Sequence, residues 1–202
     1  MRKSFKYILA GVVILVMLIV VICFANTKTF RGRVVDADTK EPLEGTVVVA
    51  SWYKESWIPL GETMVKLKDV KETLTDKNGK WSIRGPSGGG TNSLSYYFAV
   101  AGVFYHTREP EFIIFKPGYC SWPNGFHIDS CKGRMDITGV KEKKLGEGGT
   151  LEVPKLASRV DRTRAQAIQE PVDEGVDGKL GQLHRLLNEE RRTLGLGEIN
   201  YR

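Results

Sequence analysis

The sequence predicts a mainly β protein: an antiparallel β-sandwich over residues 27–154, with an apolar N-terminal segment at 1–26 and a helical tail at 155–202. Short runs of β-branched and aromatic residues recur between turn signals from Thr29 onward, with no helical pattern between them. Ile8 to Ala25 (ILAGVVILVMLIVVICFA) is an eighteen-residue stretch without a charge. Beyond Pro154 apolar residues fall at helical spacing. The chain has 202 residues, 41% hydrophobic and 27% charged, which suits one folded domain with appendages and excludes both a large enzyme and a disordered chain.

The N-terminal stretch predicts a membrane anchor. A helix of eighteen residues spans roughly 27 Å, close to a bilayer core. Arg2, Lys3 and Lys6 precede it. A signal peptide has the same order of parts, but its apolar region is usually about 7–15 residues long. The longer stretch favours a single-pass anchor in the inner membrane, with the bulk of the chain extracytoplasmic, on the periplasmic side. Cleavage near Ala25 with secretion is the alternative. Lys28, Arg31 and Arg33 follow the span and weaken the positive-inside bias. Lipidation of Cys23 would want a small residue before it, where Ile22 stands.

The strands follow. TFRGRVVD (Thr29–Asp36) leads through the turn ADTKEPLEG into TVVVASW (Thr46–Trp52). Lys54–Lys68 reads as a long inserted loop. Lys71–Thr75 and Lys80–Arg84 are expected to form a hairpin around Asp76-Lys77-Asn78-Gly79, since Asn-Gly supplies the positive φ of tight turns. GPSGGGTNS (Gly85–Ser93) is a flexible linker that lacks the Lys-Ser/Thr of a phosphate-binding loop. Ser95–Tyr105 is extended, EFIIFK (Glu111–Lys116) ends at Pro117-Gly118, and Thr150–Val153 closes the series. In the tail, Leu156, Val160, Ala167 and Ile168 form a weak stripe. Leu180, Leu183, Leu187 and Leu194 form a stronger one over Lys179–Leu194, ended by Gly195. That helix docks either on the sandwich or on a partner.

Two segments together resemble the carboxypeptidase regulatory-like domain, a transthyretin-like β-sandwich. In GRVVDADTKEPLEGTVVVA the matching residues are Asp38, Thr39, Pro42, Leu43 and Gly45, with Lys40 where the family usually has Gly. In ETLTDKNGKWSI they are Thr75, Asp76, Gly79 and Trp81. FIIFKPGY (Phe112–Tyr119) resembles the later strand that ends in Gly-Tyr. The resemblance implies a transthyretin-like fold over roughly residues 29–154. It implies a folding or interaction module of the bacterial cell envelope and no particular chemistry.

Catalytic patterns are sparse. His106-Thr107-Arg108-Glu109 has the H-x-x-E spacing of zinc carboxypeptidases, but their third histidine and large catalytic domain have no counterpart. There is no C-x-x-C or H-E-x-x-H. Asp76–Gly79 lacks the ligand spacing of a calcium loop. The terminal Ile199-Asn200-Tyr201-Arg202 departs from the Tyr-Arg-Gly-Ser ending of transthyretin-like enzymes acting on hydroxyisourate. Beyond the apolar stretch only Cys120 and Cys131 remain, flanking SWPNGFHIDS; they suit a disulfide in an oxidising compartment, two buried thiols being the alternative. A zinc site there would have only His127 nearby as a further ligand.

Charge excludes nucleic acid. The formal +6 falls to +3 without residues 1–25, and Glu142 interrupts the basic run Lys141–Lys144. Trp52 and Trp81 are expected in the core, whereas Trp57 and Trp122 sit in loops, where a tryptophan stacks on a sugar, anchors a protein contact or covers a sheet edge. The sequence therefore predicts a non-catalytic structural or protein-interaction module without cofactor or metal. A carbohydrate-binding module of the cell envelope, using Trp57 and Trp122 on a polysaccharide, is the alternative. A hydrolase built on His106 and Glu109 comes third.

Overall fold

The computed structural model describes residues 7, 11, 13–14, 27–57, 63–88, 105–140, 144–171, 176 and 178–201. Among the described residues eight strands make two sheets. They are β1 (Thr27–Asp36), β2 (Val47–Trp57), β3 (Thr63–Leu74), β4 (Lys80–Pro86), β5 (His106–Thr107), β6 (Glu111–Phe115), β7 (Asp136–Thr138) and β8 (Glu147–Val153). Helices α1 (Arg159–Ala165) and α2 (Gly181–Thr193) follow. One sheet has the order β4-β1-β8-β7; the other has β3-β2-β5, with β6 also on β2.

The expected sandwich core is present. Phe30, Val34, Trp81, Ile83, Ile137, Leu151 and Val153 from the first sheet meet Val48, Ala50, Trp52, Phe112 and Ile114 from the second. Gly85 is required by the close approach of the sheets, because a Cβ there would lie 2.2 Å from the Trp52 ring.

Several local expectations are corrected. The sheet is not wholly antiparallel: β8 pairs with β1 in parallel, Val34 opposite Leu151. Lys71–Thr75 and Lys80–Arg84 do not form a hairpin, since β3 pairs with β2 and β4 with β1. Asp76–Gly79 instead carries the chain from one sheet to the other. The Asp76 carboxylate accepts from the Asn78 and Lys80 amides, both at 2.8 Å, and the Gly79 carbonyl accepts from Val34 N at 2.8 Å. Gly79 has φ +72°, and a Cβ would lie 2.3 Å from the Val34 carbonyl. The described residues of Lys54–Lys68 are strand, not loop: β2 and β3 stay paired out to Trp57 opposite Thr63, and 58–62 lie outside the described residues.

The residues that carried the family resemblance build one end of the sandwich. Asp36 accepts from the amides of Asp38 and Thr39, while Thr75 Oγ1 accepts from Thr46 N and donates to the Leu43 carbonyl. Lys40, where the family has Gly, adopts φ 61°.

The tail is less helical than expected. Tyr119 bridges to Lys155 and Leu156 is in the core, so the chain is still sandwich-like there. The docking of the second helix is intramolecular. Leu180, Leu183, Leu186 and Leu187 cover Val47, Val49, Val70, Ile113 and Phe115 on the outer face of the second sheet. This explains why TVVVA and EFIIF are apolar at every position: both faces of β2 and β6 are buried. Glu72 of β3 caps α2, its Oε1 and Oε2 accepting from Gln182 N at 2.7 Å and Leu183 N at 3.0 Å.

Of the predicted N-terminal span, only Gly11, Val13 and Ile14 are among the described residues; they are helical, with Val13 and Ile14 exposed. Among the described residues no helix is long and apolar enough to cross a membrane. Of the predicted strand Ser95–Tyr105 only Tyr105 lies within the described residues, and of the linker only Gly85–Gly88.

Candidate functional site

Two clefts flank the start of β6. The larger, about 560 Å³, lies between β6 and the chain after α1, and is lined among others by Tyr53, Glu111, Phe126, His127 and Glu170. The smaller, about 400 Å³, is lined among others by Phe30, Glu109, Trp122, Lys144 and Leu145. Glu111, Phe112 and Pro123 line both.

The wall between the clefts is the segment the two cysteines bracket. Cys120 and Cys131 form the expected disulfide, with Cα atoms 6.1 Å apart. Inside it, Asn124–His127 makes one turn of 3-10 helix after a cis Trp122–Pro123 bond. The loop is fixed to α1: Ser121 Oγ donates to the Ala165 carbonyl, Asn124 Nδ2 to the Arg164 carbonyl and Ser130 Oγ to Asp161. This bonding holds Phe126 at the surface, 45% exposed.

Trp122 covers a sheet edge. Its amide donates to the Ile114 carbonyl at 2.9 Å and its carbonyl accepts from the Ile114 amide at 3.1 Å. Its ring meets Phe126 edge-on, centroids 4.9 Å apart, and packs against the core. Trp57 is elsewhere. Through Ile114, Trp122 stands level with Val48 of β2, whereas Trp57 ends β2 nine residues later, about 30 Å along the strand. The two do not share one platform.

Backbone polarity completes the site. Ile114 turns its amide and carbonyl away from β2 toward Trp122, so Phe112, two residues earlier, turns its own the same way. Among the described residues Phe112 has no backbone partner on that side. Among the described residues this leaves an open position on a strand edge between the two clefts.

Electrostatically the larger cleft is acidic. Glu111 and Glu170 line it, Glu170 Oε2 lying 2.8 Å from His184 Nε2. Burial, and then the Glu111 charge against an opposing Arg108, push the Tyr53 hydroxyl above its usual range. His106 is buried in β5 and Glu109 is exposed after it. Among the described residues no three His, Cys, Asp or Glu side chains gather to hold a metal. Sequence reasoning missed Tyr53, Glu111 and Glu170, which lie far apart in the chain; Phe126 was within reach, as the aromatic in the cysteine loop.

No protein-family profile matches the chain, and no curated protein does. Among solved structures it is similar to a mutant catechol 1,2-dioxygenase of Acinetobacter radioresistens, at 17% identity and a TM-score of 0.30, over 74% of this chain. The match spans 56% of that protein's length. A likeness this distant carries no argument about fold or chemistry.

Proposed function

We propose that the chain is a non-catalytic interaction module of the cell envelope. It is a transthyretin-like sandwich anchored in the inner membrane through Ile8–Ala25, and it binds a partner protein at the edge of β6. The observation that carries this is the outward-turned backbone of Phe112 between two clefts. An extended segment adding as a strand bonds to such an edge through its main chain and places alternate side chains in flanking pockets. The acidic lining by Glu111 and Glu170 favours a segment with basic side chains. The cis docking of α2 withdraws that helix from the list of binding surfaces.

Photo-crosslinking in cells tests this. A benzoylphenylalanine at Phe126 of the full chain should trap a defined protein, the same group at Lys132 should not, and Glu111→Lys should lose the adduct. Saccharide binding lost in Trp122→Ala or Trp57→Ala, with no adduct specific to Phe126, would overturn the proposal in favour of the polysaccharide reading.

A further inference from the structure

The β2–β3 hairpin is an arm that outreaches the sandwich on the side where the chain arrives from Ala25. Thr27 opens β1 opposite Pro86 at the end of β4. The neighbouring Gly85 touches Trp52, which sets the level of Thr27 against β2. From Trp52, β2 runs five residues further to Trp57, paired with β3 throughout. At about 3.3 Å per residue the arm extends beyond Thr27 by roughly 13 Å. Only Asn26 separates Ala25 from Thr27, a tether of at most about 7 Å.

The arm carries unbalanced positive charge. Lys54 and Lys66 stand directly opposite each other across the strands, a like-charge pairing that destabilises a sheet by itself. Lys54 and Lys68 both lie over the Tyr105 ring, with Nζ 4.6 and 5.9 Å from its centroid. Burial and the Lys54 charge push the Lys68 ammonium below its usual range, against the opposing Asp69. Over residues 53–68 three lysines, Lys54, Lys66 and Lys68, stand against Glu55 and Glu62, the latter outside the described residues, which leaves a net positive charge. Met64, Val65 and Tyr105 are 41%, 47% and 50% exposed, so apolar surface accompanies the charge.

We infer that this arm docks on the anionic headgroups of the membrane that holds the N-terminal segment, with Lys54, Lys66 and Lys68 on lipid phosphate and Met64 and Val65 at the acyl boundary. The inference rests on the anchor reading of Ile8–Ala25. With the tether shorter than the arm, a sandwich standing on that anchor brings the arm to the bilayer surface. Headgroup phosphates then relieve the repulsion between Lys54 and Lys66.

The test uses the full chain with Cys23→Ser, reconstituted in nanodiscs of phosphatidylcholine with or without phosphatidylglycerol. A polarity-sensitive fluorophore on Met64→Cys should shift to the blue and be quenched by a headgroup quencher only with phosphatidylglycerol. Lys54→Gln, Lys66→Gln and Lys68→Gln should each lower the docked-to-undocked ratio roughly five-fold. A fluorophore on Lys132→Cys, at the opposite end, should stay water-like. A water-like signal at Met64→Cys in anionic discs, or equal quenching at Lys132→Cys, would overturn the inference. Alkaline carbonate extraction separates the two readings. Release of the protein overturns the anchor and the arm with it, whereas retention with a water-like Met64→Cys signal overturns the arm alone.

Discussion

Arg162 of α1 and Glu190 of α2 meet in a two-pronged ion pair, Nε to Oε1 and Nη2 to Oε2 both at 2.7 Å, with the Glu190 side chain 1% exposed and Arg162 at 24%. The Glu190 hydrogen bonds hold the Arg162 guanidinium above its already high pKa, so Arg162 stays charged at any working pH. It ties the two tail helices together beside the sandwich.

Removing either partner should therefore be unequal. Arg162→Met strands a buried carboxylate and is expected to cost about 3–5 kcal/mol. Glu190→Leu leaves a guanidinium that still reaches water and should cost less. The double variant should lose far less than the sum of the two single losses, because it leaves neither charge stranded. Urea unfolding of all three checks this, and equal single losses would contradict it.

The Cys120–Cys131 bond closes a loop of sequence separation 11. In the chain-entropy picture its loss should cost up to roughly 3 kcal/mol. Reduction, or the Cys120→Ser/Cys131→Ser pair, should lower the unfolding midpoint and expose Trp122 to fluorescence quenchers. Mass spectrometry without reductant should find neither thiol alkylated.

Acid should weaken the turn at Asp36. Burial works to raise this carboxyl's pKa, but the Thr39 and Asp38 amides, the Tyr119 hydroxyl and the Lys155 charge together hold it below the usual range. A carboxyl whose folded pKa lies below its unfolded value of about 3.9 contributes fully above that value and loses the contribution as pH falls through the folded one. Asp36→Asn should thus cost about 1–3 kcal/mol at neutral pH, and the gap to the native chain should close in acid. A gap constant with pH would show that the charge has no part in it.

Gly85→Ala should separate the sheets. The new methyl falls on the Trp52 ring, which is fully buried, so the loss should be about 1–3 kcal/mol, with a change in Trp fluorescence. Gly197→Ala, a glycine without positive φ and with open space around it, is the control: it gains the methyl without the clash.

Capping of α2 by a strand carboxylate is also measurable. Glu72→Ala removes the acceptor of two amides and should cost about 1 kcal/mol, with faster hydrogen exchange at Gln182 and Leu183.

The sequence by itself determined the mainly β class, the core tryptophans Trp52 and Trp81 and the position of the second tail helix, and it favoured the disulfide over two buried thiols. Each rests on a local signal: β-branched runs, a lone cysteine pair, leucines at helical spacing. It also held an unread clue, since TVVVA and EFIIF lack the alternation of a half-exposed strand and so required a cover on their second face. Only the tertiary structure decided that α2 is that cover, that Asp76–Gly79 joins two sheets instead of two neighbouring strands, and that β8 lies parallel to β1. A turn sequence specifies its own dihedrals but not which strands its ends will meet. The clefts were illegible for the same reason. Tyr53, Glu111, Phe126 and Glu170 come from four separate segments, and no period or spacing links residues whose proximity depends on how two sheets and a tail pack.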